Sequence, residues 1–313
     1  LPQAVGSFDP SEVMVEPSFY SEMLGLQGRM DFLQSDMRLL IEQKSGKGAF
    51  VPYDPEPTTP KKKEDHYAQL LLYMALLRYN YRQRYEENHR ELFAYLMYSK
   101  YRNALQGVSF APELLYRTLR LRNRIVAAER RYVREGFGCL LTWNADDLNE
   151  RNLQTTLWRN YKLPQIEATL QPLRDASPLE RAYVLRMLQF VAREQSLAKL
   201  GSHGGDDSGF ASTWHSTVDE KRAAGNIIDR LSPPRRSTST QDPATAVSTI
   251  TFSLLPDDGA ENDNLLSGTN FRVGDIVFCY PYPTGSIPDA RQAIVFRASI
   301  RRLLPDQIEL RLR

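Results

Sequence analysis

Polar and apolar side chains alternate along two neighbouring runs of the chain, Leu26–Leu33 and Met37–Lys44. Three polar residues, at positions 34–36, separate the two runs. Alternation with period two is typical of a strand that buries one face, and two such strands joined by a short polar segment form a hairpin. We therefore predict a β-hairpin over residues 26–44.

The hydrophobic spacing changes after this hairpin and predicts helices interrupted by a strand. Glu64–Tyr85 has the apolar density and length of a helix and follows a loop with four prolines, at positions 52, 55, 57 and 60. Glu91–Lys100 is rich in aromatic side chains and predicts a strand. The arginine-rich residues 117–134 and most of residues 147–200 predict further helices, one of which begins at Ser177-Pro178.

The pattern changes again towards the C-terminal part of the chain. Residues 201–212 and 232–245 have the composition of linkers, and a short helical piece is predicted between them at Thr217–Leu231. From Ala246 onwards, short alternating strands predict a small barrel. The sequence thus predicts an α/β protein with a core at residues 1–146, a helical connector at 147–245 and a small β-barrel at 246–313. The four strands predicted for this barrel are Val247–Leu255, Phe271–Tyr280, Gln292–Arg301 and Gln307–Leu312.

Composition narrows the class of protein. The 313 residues are 42% hydrophobic and 25% charged, which is ordinary for a globular chain, and the formal net charge of +2 argues against a polycation. The two cysteines, Cys139 and Cys279, are far apart and lack partners at metal-ligand spacing. This argues against a disulfide framework, a zinc site and an iron–sulfur cluster, and we expect a cytoplasmic protein without a membrane segment.

Basic side chains are clustered, although the net charge is small. Seven arginines lie between Arg117 and Arg134, of which Arg117, Arg120, Arg124 and Arg131 share one helical face. Such a face can bind phosphates or can be a solvated surface paired with acids. The same two interpretations apply to the lysine run at residues 61–63.

Three side chains of the hairpin could perform chemistry, namely Asp31, Glu42 and Lys44. Because side chains alternate, a short turn places Asp31 on the sheet face of Leu40, Glu42 and Lys44. Opposite Cβ atoms of neighbouring strands are roughly 4.5–5.5 Å apart, so both carboxylates could ligate one hard cation such as Mg²⁺. Lys44 would then orient or deprotonate the water that attacks a phosphodiester. The alternative interpretation is a solvated hairpin face.

Three segments together resemble a known family. GLQGRMDFL, LIEQKSGK and DHYAQLLLY are similar to the GhxD, (D/E)xK and QxxxY motifs of the RecB-like branch of the PD-(D/E)XK nuclease superfamily. The greatest similarity is to the nuclease domain of nuclease-helicases that process Okazaki-fragment flaps and resect DNA ends. The motifs span residues 25–73, and weaker similarity continues to about residue 135.

This resemblance implies a restriction-endonuclease-like core and a role for each motif residue. Asp31 and Glu42 would bind Mg²⁺ or Mn²⁺ with the Gln43 backbone carbonyl, and Lys44 would be catalytic. Gln69 and Tyr73 would face the DNA. We also predict that Arg29, Lys47, Arg120 and Arg124 contact DNA.

The chain departs from the family in two respects. It cannot hold the four-cysteine iron–sulfur cluster common in that group, and it offers only Glu12, Glu16 or Glu22 as a substitute for an acid or histidine on an upstream helix. Gly46-Lys47-Gly48 lacks the first glycine of a phosphate loop, so we expect no ATP site. His66 is interpreted as a residue of the helix surface.

Two functions therefore stand as hypotheses, with a purely structural scaffold as a third. The first is a metal-dependent DNA nuclease that acts on single-stranded ends or flaps. The second is a nuclease-fold module that binds nucleic acid or a helicase partner without cleaving. The C-terminal strands loosely resemble an accessory barrel of superfamily-one helicases, so a helicase motor in the same polypeptide is the expected partner.

Overall fold

The computed structural model describes residues 12–51, 58–86, 91–201, 209–229, 231–232, 235–236, 249–255, 266 and 268–312. The prolines at 52, 55 and 57 and most of the two predicted linkers lie outside these ranges. The chain forms two compact units, one of Leu1–Tyr116 with Ser216–Arg313 and one of Arg117–His215. The predicted division at residues 146 and 245 stays a prediction.

Within the described residues, a mixed sheet of five strands forms the centre of the first unit, in the order β1-β4-β5-β6-β7. Strands β5 and β6 are parallel and every other neighbouring pair in this sheet is antiparallel. Helix α1 lies between β5 and β6 in sequence, as a parallel pair requires a crossover connection. The elements are β1 (Val13–Val15), β2 (Ser18–Ser21), β3 (Leu26–Arg29), β4 (Phe32–Gln34), β5 (Leu39–Lys44), α1 (Glu64–Asn80), α2 (Arg82–Glu86), β6 (Phe93–Tyr98) and β7 (Leu105–Val108).

The hairpin prediction is half correct. Strands β4 and β5 pair as predicted, with Phe32 opposite Ile41 and Leu33 opposite Leu40. The run Leu26–Leu33, however, is not one strand, because β3 pairs with β2 in a separate ladder. The chain changes partner at the fully buried Met30, whose N–H donates to the Pro17 carbonyl.

Helix α1 and the central sheet share an apolar core. Leu33, Leu39, Leu40 and Leu96 of the sheet are fully buried, as are Leu70, Leu71 and Leu77 of the helix. The acidic side chains Glu64 and Asp65 lie in the first turn, where the helix dipole favours negative charge. The helix predicted to reach Tyr85 ends at Asn80, and a short second helix follows Tyr81.

The second unit is helical in its described residues, as the sequence predicted. Helix α3 (Pro112–Glu135) begins in the first unit and contains the arginine-rich run. A 3₁₀ turn (Gly138–Leu141), a π-helical turn (Trp158–Lys162), α4 (Leu163–Asp175), α5 (Pro178–Leu200) and α6 (Ser212–His215) follow. The predicted start of α5 is confirmed, since Ser177 and Glu180 form a reciprocal capping box.

The C-terminal residues return to the first unit. After α7 (Val218–Ala223), the described strands form an open antiparallel sheet in the order β10-β11-β12-β9-β8, so the predicted barrel is not confirmed. The sheet packs around Ala298, Ile300, Ile308 and Leu310, and Ser18 of β2 pairs with Val295 just before it. All four predicted strands are present: the first two are shorter than predicted, the third begins and ends later, and the fourth has the predicted bounds, whereas β8 was not predicted. The strands are β8 (Arg235–Arg236), β9 (Thr249–Ser253), β10 (Ile276–Cys279), β11 (Phe296–Leu304) and β12 (Gln307–Leu312).

Among the helices that the structure describes, none has the length and apolar character that crossing a membrane requires.

Candidate active site

Glu42 is a buried carboxylate in the middle of the central sheet. It lies on β5, and only 3% of its surface is exposed. Its Oε1 accepts a hydrogen bond from Lys44 Nζ at 2.7 Å. Its Oε2 is buried and accepts no well-formed hydrogen bond in the part of the chain that the structure describes. Such an atom is rare in proteins, because a buried carboxylate oxygen without a partner costs free energy.

Burial raises the pKa of Glu42 above the ordinary value of a glutamate. The hydrogen bond and the charge of Lys44 lower this pKa, as does the nearby main-chain N–H of Asp31, whereas the negative charge of the Asp31 carboxylate raises it. The net direction is upward because desolvation is the largest of these effects. The site therefore disfavours the ionised carboxylate until a further positive charge approaches it.

Asp31 lies at the bend between β3 and β4. Its Oδ2 accepts the main-chain N–H of Gln43 at 2.7 Å. Since Gln43 lies between Glu42 and Lys44 on β5, this bond holds the Asp31 carboxylate against the strand that carries the other two polar side chains. The structure thus brings Asp31, Glu42 and Lys44 together. The metal role of the Gln43 carbonyl stays a prediction.

Lys44 begins a chain of hydrogen bonds that joins the three motifs. Its Nζ donates to Gln69 Oε1 at 2.7 Å as well as to Glu42. Gln69 Nε2 in turn donates to the Tyr73 hydroxyl at 3.0 Å. The Tyr73 hydroxyl donates to the main-chain carbonyl of Arg29 at 2.8 Å. Gln69 and Tyr73 therefore hold Lys44 in place, whereas a direct contact of either residue with DNA stays a prediction.

Gly28 makes room for the Tyr73 ring. A Cβ atom at position 28 would lie 2.7 Å from Tyr73 Cε1, which is closer than real Cβ contacts. Burial raises the pKa of Tyr73, so this hydroxyl stays protonated and acts as a donor. Packing of the Tyr73 ring therefore requires a glycine at this position of the first motif.

The three acids considered as upstream ligands have other partners. Glu12 accepts from the Ser35 hydroxyl, Glu16 forms an ion pair with Arg29 at 3.2 Å, and Glu22 pairs with Arg291 at 3.1 Å. Among the described residues, no group of three or more His, Cys, Asp or Glu side chains could hold a metal ion. The acidic donor set in these ranges is the pair Asp31 and Glu42.

The predicted DNA-binding residues occupy different parts of the chain. Arg29 is half exposed beside the site and is paired with Glu16, and Lys47 is exposed in the loop after β5. Arg120 and Arg124 are exposed on the part of α3 that belongs to the second unit. Arg124 pairs with Glu150 at 2.6 Å, so part of this guanidinium is already engaged and only the rest can bind a phosphate.

The lysine run at residues 61–63 is partly engaged with the protein. Lys62 Nζ donates to the Gly107 carbonyl at 2.8 Å and lies 5.6 Å from the centre of the Tyr67 ring. The main-chain N–H of Lys63 donates to the Tyr98 hydroxyl at 3.1 Å. Lys61 is exposed. These contacts favour a structural role for Lys62 over a phosphate clamp.

His66, interpreted from the sequence as a residue of the helix surface, lies on α1 and is partly exposed. Its side chain is half-buried, and its Nδ1 lies 3.0 Å from the hydroxyl of the fully buried Tyr98. The signal that could have found it is its spacing, since residues 66, 69 and 73 share one face of a helix. Tyr98 itself carries no sequence signal beyond its place at the end of a predicted strand.

Comparison with protein-family models gives no matching family, and comparison with curated proteins gives no matching relative.

Proposed function

We propose that this chain is a divalent-cation-dependent nuclease that hydrolyses phosphodiester bonds in DNA, acting on single-stranded ends or flaps. Its first unit would have a restriction-endonuclease-like core of the PD-(D/E)XK type. The support comes from the order of the three motifs in sequence and from the contacts that join them in space. Lys44 bonds Glu42 of its own motif and Gln69 of the third motif, and Gln69 bonds Tyr73, which packs on Gly28 of the first motif.

The carboxylate of Glu42 carries this proposal. Its Oε2 is buried and accepts no well-formed hydrogen bond among the described residues, and Asp31 adds a second negative charge nearby. A divalent cation held by both carboxylates would remove this penalty. Mg²⁺ typically binds one or two protein carboxylates and keeps its other positions for water and phosphate oxygens. The residues present therefore fit Mg²⁺ or the similar Mn²⁺.

When bound, the cation would neutralise charge on the scissile phosphate and assist formation of the attacking hydroxide. Lys44 contributes from the protein side. Its ammonium group has three N–H donors, of which two are directed at Glu42 and Gln69. The third has no acceptor in the described ranges and can donate to a phosphate oxygen or to the attacking water. Because Glu42 and Gln69 fix the ammonium group, its charge is already oriented before substrate binds.

The small number of metal-ligating side chains supports a second candidate function. Since the described residues hold no third acidic or histidine ligand near Asp31 and Glu42, cation affinity could be too low for turnover. The chain would then be a nuclease-fold module that binds nucleic acid or a helicase partner without cleaving it. This alternative predicts DNA affinity that falls with salt concentration, but no hydrolysis.

Cleavage of end-labelled single-stranded DNA separates the two functions. We expect the wild-type chain to cut in Mg²⁺ or Mn²⁺, and Asp31→Asn to bind DNA but not to cut it. The amide oxygen of this variant could still accept the Gln43 N–H, so the substitution removes charge with little effect on the bend. Asp36→Asn, in the turn of the same hairpin, is the matched control and should cut normally. A wild-type chain that binds but never cuts supports the second function, and RNA and duplex substrates in the same assay test the substrate class.

A further inference from the structure

His66 is a polar residue of α1 that the proposed mechanism does not use. It precedes Gln69 by three residues and Tyr73 by seven, so all three lie on the same face of the helix. Gln69 and Tyr73 on this face are bonded to each other, and Gln69 is bonded to Lys44. The imidazole of His66 therefore lies on the side of α1 that faces the site, one turn before Gln69.

The protonation state of the imidazole follows from its hydrogen bonds. The Tyr98 hydroxyl accepts the Lys63 N–H at 3.1 Å and lies 3.0 Å from His66 Nδ1. Tyr98 is fully buried, so its own proton needs an acceptor, and Nδ1 is the acceptor that the described residues provide. Tyr98 therefore donates to Nδ1, and the ring carries its proton on Nε2.

The charges around His66 keep the ring neutral. Burial lowers its pKa most, Asp65 raises it, and the positive charges of Lys44 and Lys63 lower it further. The pKa is thus below the ordinary value for histidine, and the imidazole is uncharged at neutral pH. A neutral ring with its proton on Nε2 is a hydrogen-bond donor at that atom. The described residues offer no acceptor for this Nε2–H.

We propose that His66 Nε2–H donates a hydrogen bond to a phosphate oxygen of the nucleic-acid strand beside Lys44, and that Tyr98 fixes the tautomer required. This inference rests on the proposed function, because the strand would be the nuclease substrate. Phosphate is the fitting ligand because it offers only acceptors and carries the negative charge that Lys44 attracts. His66 would be a substrate-binding residue and Tyr98 a positioning residue.

Two substitutions of His66 distinguish binding from packing. In His66→Asn the amide can still accept from Tyr98 but offers no donor at the position of Nε2, whereas the longer amide of His66→Gln reaches that position. We expect His66→Asn to raise KM for a short oligothymidylate about tenfold with kcat nearly unchanged, which is the pattern of a lost uniform binding contact. We expect His66→Gln to recover part of the loss and Tyr98→Phe to give an intermediate KM. His215→Asn, at an exposed histidine of the second unit, is the control.

Nitrogen-15 NMR of the imidazole gives a test that does not depend on activity. In the wild-type chain we expect Nδ1 to show the shift of an unprotonated acceptor and Nε2 that of an N–H. Adding pentathymidylate to the Asp31→Asn variant should move the Nε2–H resonance. A ring protonated on Nδ1, or an unchanged Nε2–H at saturating oligonucleotide, overturns the inference.

The outcomes separate this inference from the proposed function. If the wild-type chain cleaves DNA and His66→Asn keeps the wild-type KM, the His66 contact is wrong and the nuclease stands. If oligonucleotide shifts Nε2–H but no cleavage occurs with either cation, the contact stands and the nuclease is wrong. If no oligonucleotide binds, both are wrong.

Discussion

The ring of Tyr73 occupies the space that a side chain on Gly28 would need, since a Cβ there would lie 2.7 Å from Tyr73 Cε1. This contact couples the first motif to the third. The Tyr73 hydroxyl bonds both the Arg29 carbonyl and Gln69, which holds Lys44. A small change at Gly28 therefore reaches Lys44 through two side chains.

We predict that Gly28→Ala displaces the Tyr73 ring, destabilises the chain by about 1–3 kcal/mol as overpacking does, and lowers cleavage through Lys44. Gly46→Ala is the matched control, because nothing lies within 4 Å of a Cβ at that position. Urea unfolding and the cleavage rate should be measured on both variants. Equal behaviour of the two variants would show that the Gly28–Tyr73 contact has no consequence.

We predict that Lys44→Met lowers the cleavage rate about 100-fold, the scale expected for loss of an oriented charge in a nuclease site. DNA affinity should change little, because one ammonium among many basic groups is removed. Lys44→Arg keeps a charge beside the buried Glu42 and is expected to fold, but its planar guanidinium should not restore full cleavage. Lys100→Met, at an exposed lysine after β6, is the control. Undiminished cleavage by Lys44→Met would remove this residue from the mechanism.

We predict that Mg²⁺ or Mn²⁺ raises the unfolding temperature of the wild-type chain. A ligand present at about 100 times its dissociation constant adds about 2.7 kcal/mol to stability when it binds only the folded state. Glu42→Gln should lose this gain, because the variant keeps the acceptor for Lys44 and loses the second negative charge. Calorimetric melting with and without the cation measures the effect, with Asp36→Asn as the control. A cation-dependent rise that survives in Glu42→Gln would place the ion elsewhere.

We predict that the acid limb of the pH–rate profile moves with cation concentration. The pKa of Glu42 is raised, so protons compete for this carboxylate at a higher pH than for an ordinary glutamate, and cleavage falls as the pH falls through that pKa. A tenfold higher cation concentration should move the limb by up to about one pH unit towards acid, since each ion displaces one proton. Cleavage rates over a pH series at two Mg²⁺ concentrations test this. If the acid limb does not move, it reports the titration of a group other than Glu42.

The sequence determined much of the candidate site. Alternation with period two places Glu42 and Lys44 on one face of β5, and the helical spacing places Gln69 beside Tyr73. These are local regularities, because the backbone geometry of a strand or helix fixes which side chains share a face. Apolar density also indicated the core, and alternation located all four predicted C-terminal strands, although three of them have other bounds.

Pairing partners were decided only by the tertiary structure. The run Leu26–Leu33 has one continuous alternation, yet its first half pairs with β2 and its second half with β5. Strands β1 and β2 have three and four residues, too few for a periodic signal. The open form of the C-terminal sheet also depends on which distant strands meet, and a strand pattern alone is compatible with closed and open sheets.

The surroundings of each polar atom were likewise decided by the tertiary structure. The sequence marks Glu42 as an acid on a strand, but it does not show that this side chain is buried or that its Oε2 accepts no well-formed hydrogen bond in the described ranges. The same holds for His66, whose Nδ1 lies 3.0 Å from the hydroxyl of Tyr98, 32 residues away in sequence. Local periodicity determines the direction of a side chain, whereas desolvation and hydrogen bonding are set by whatever the fold packs against it.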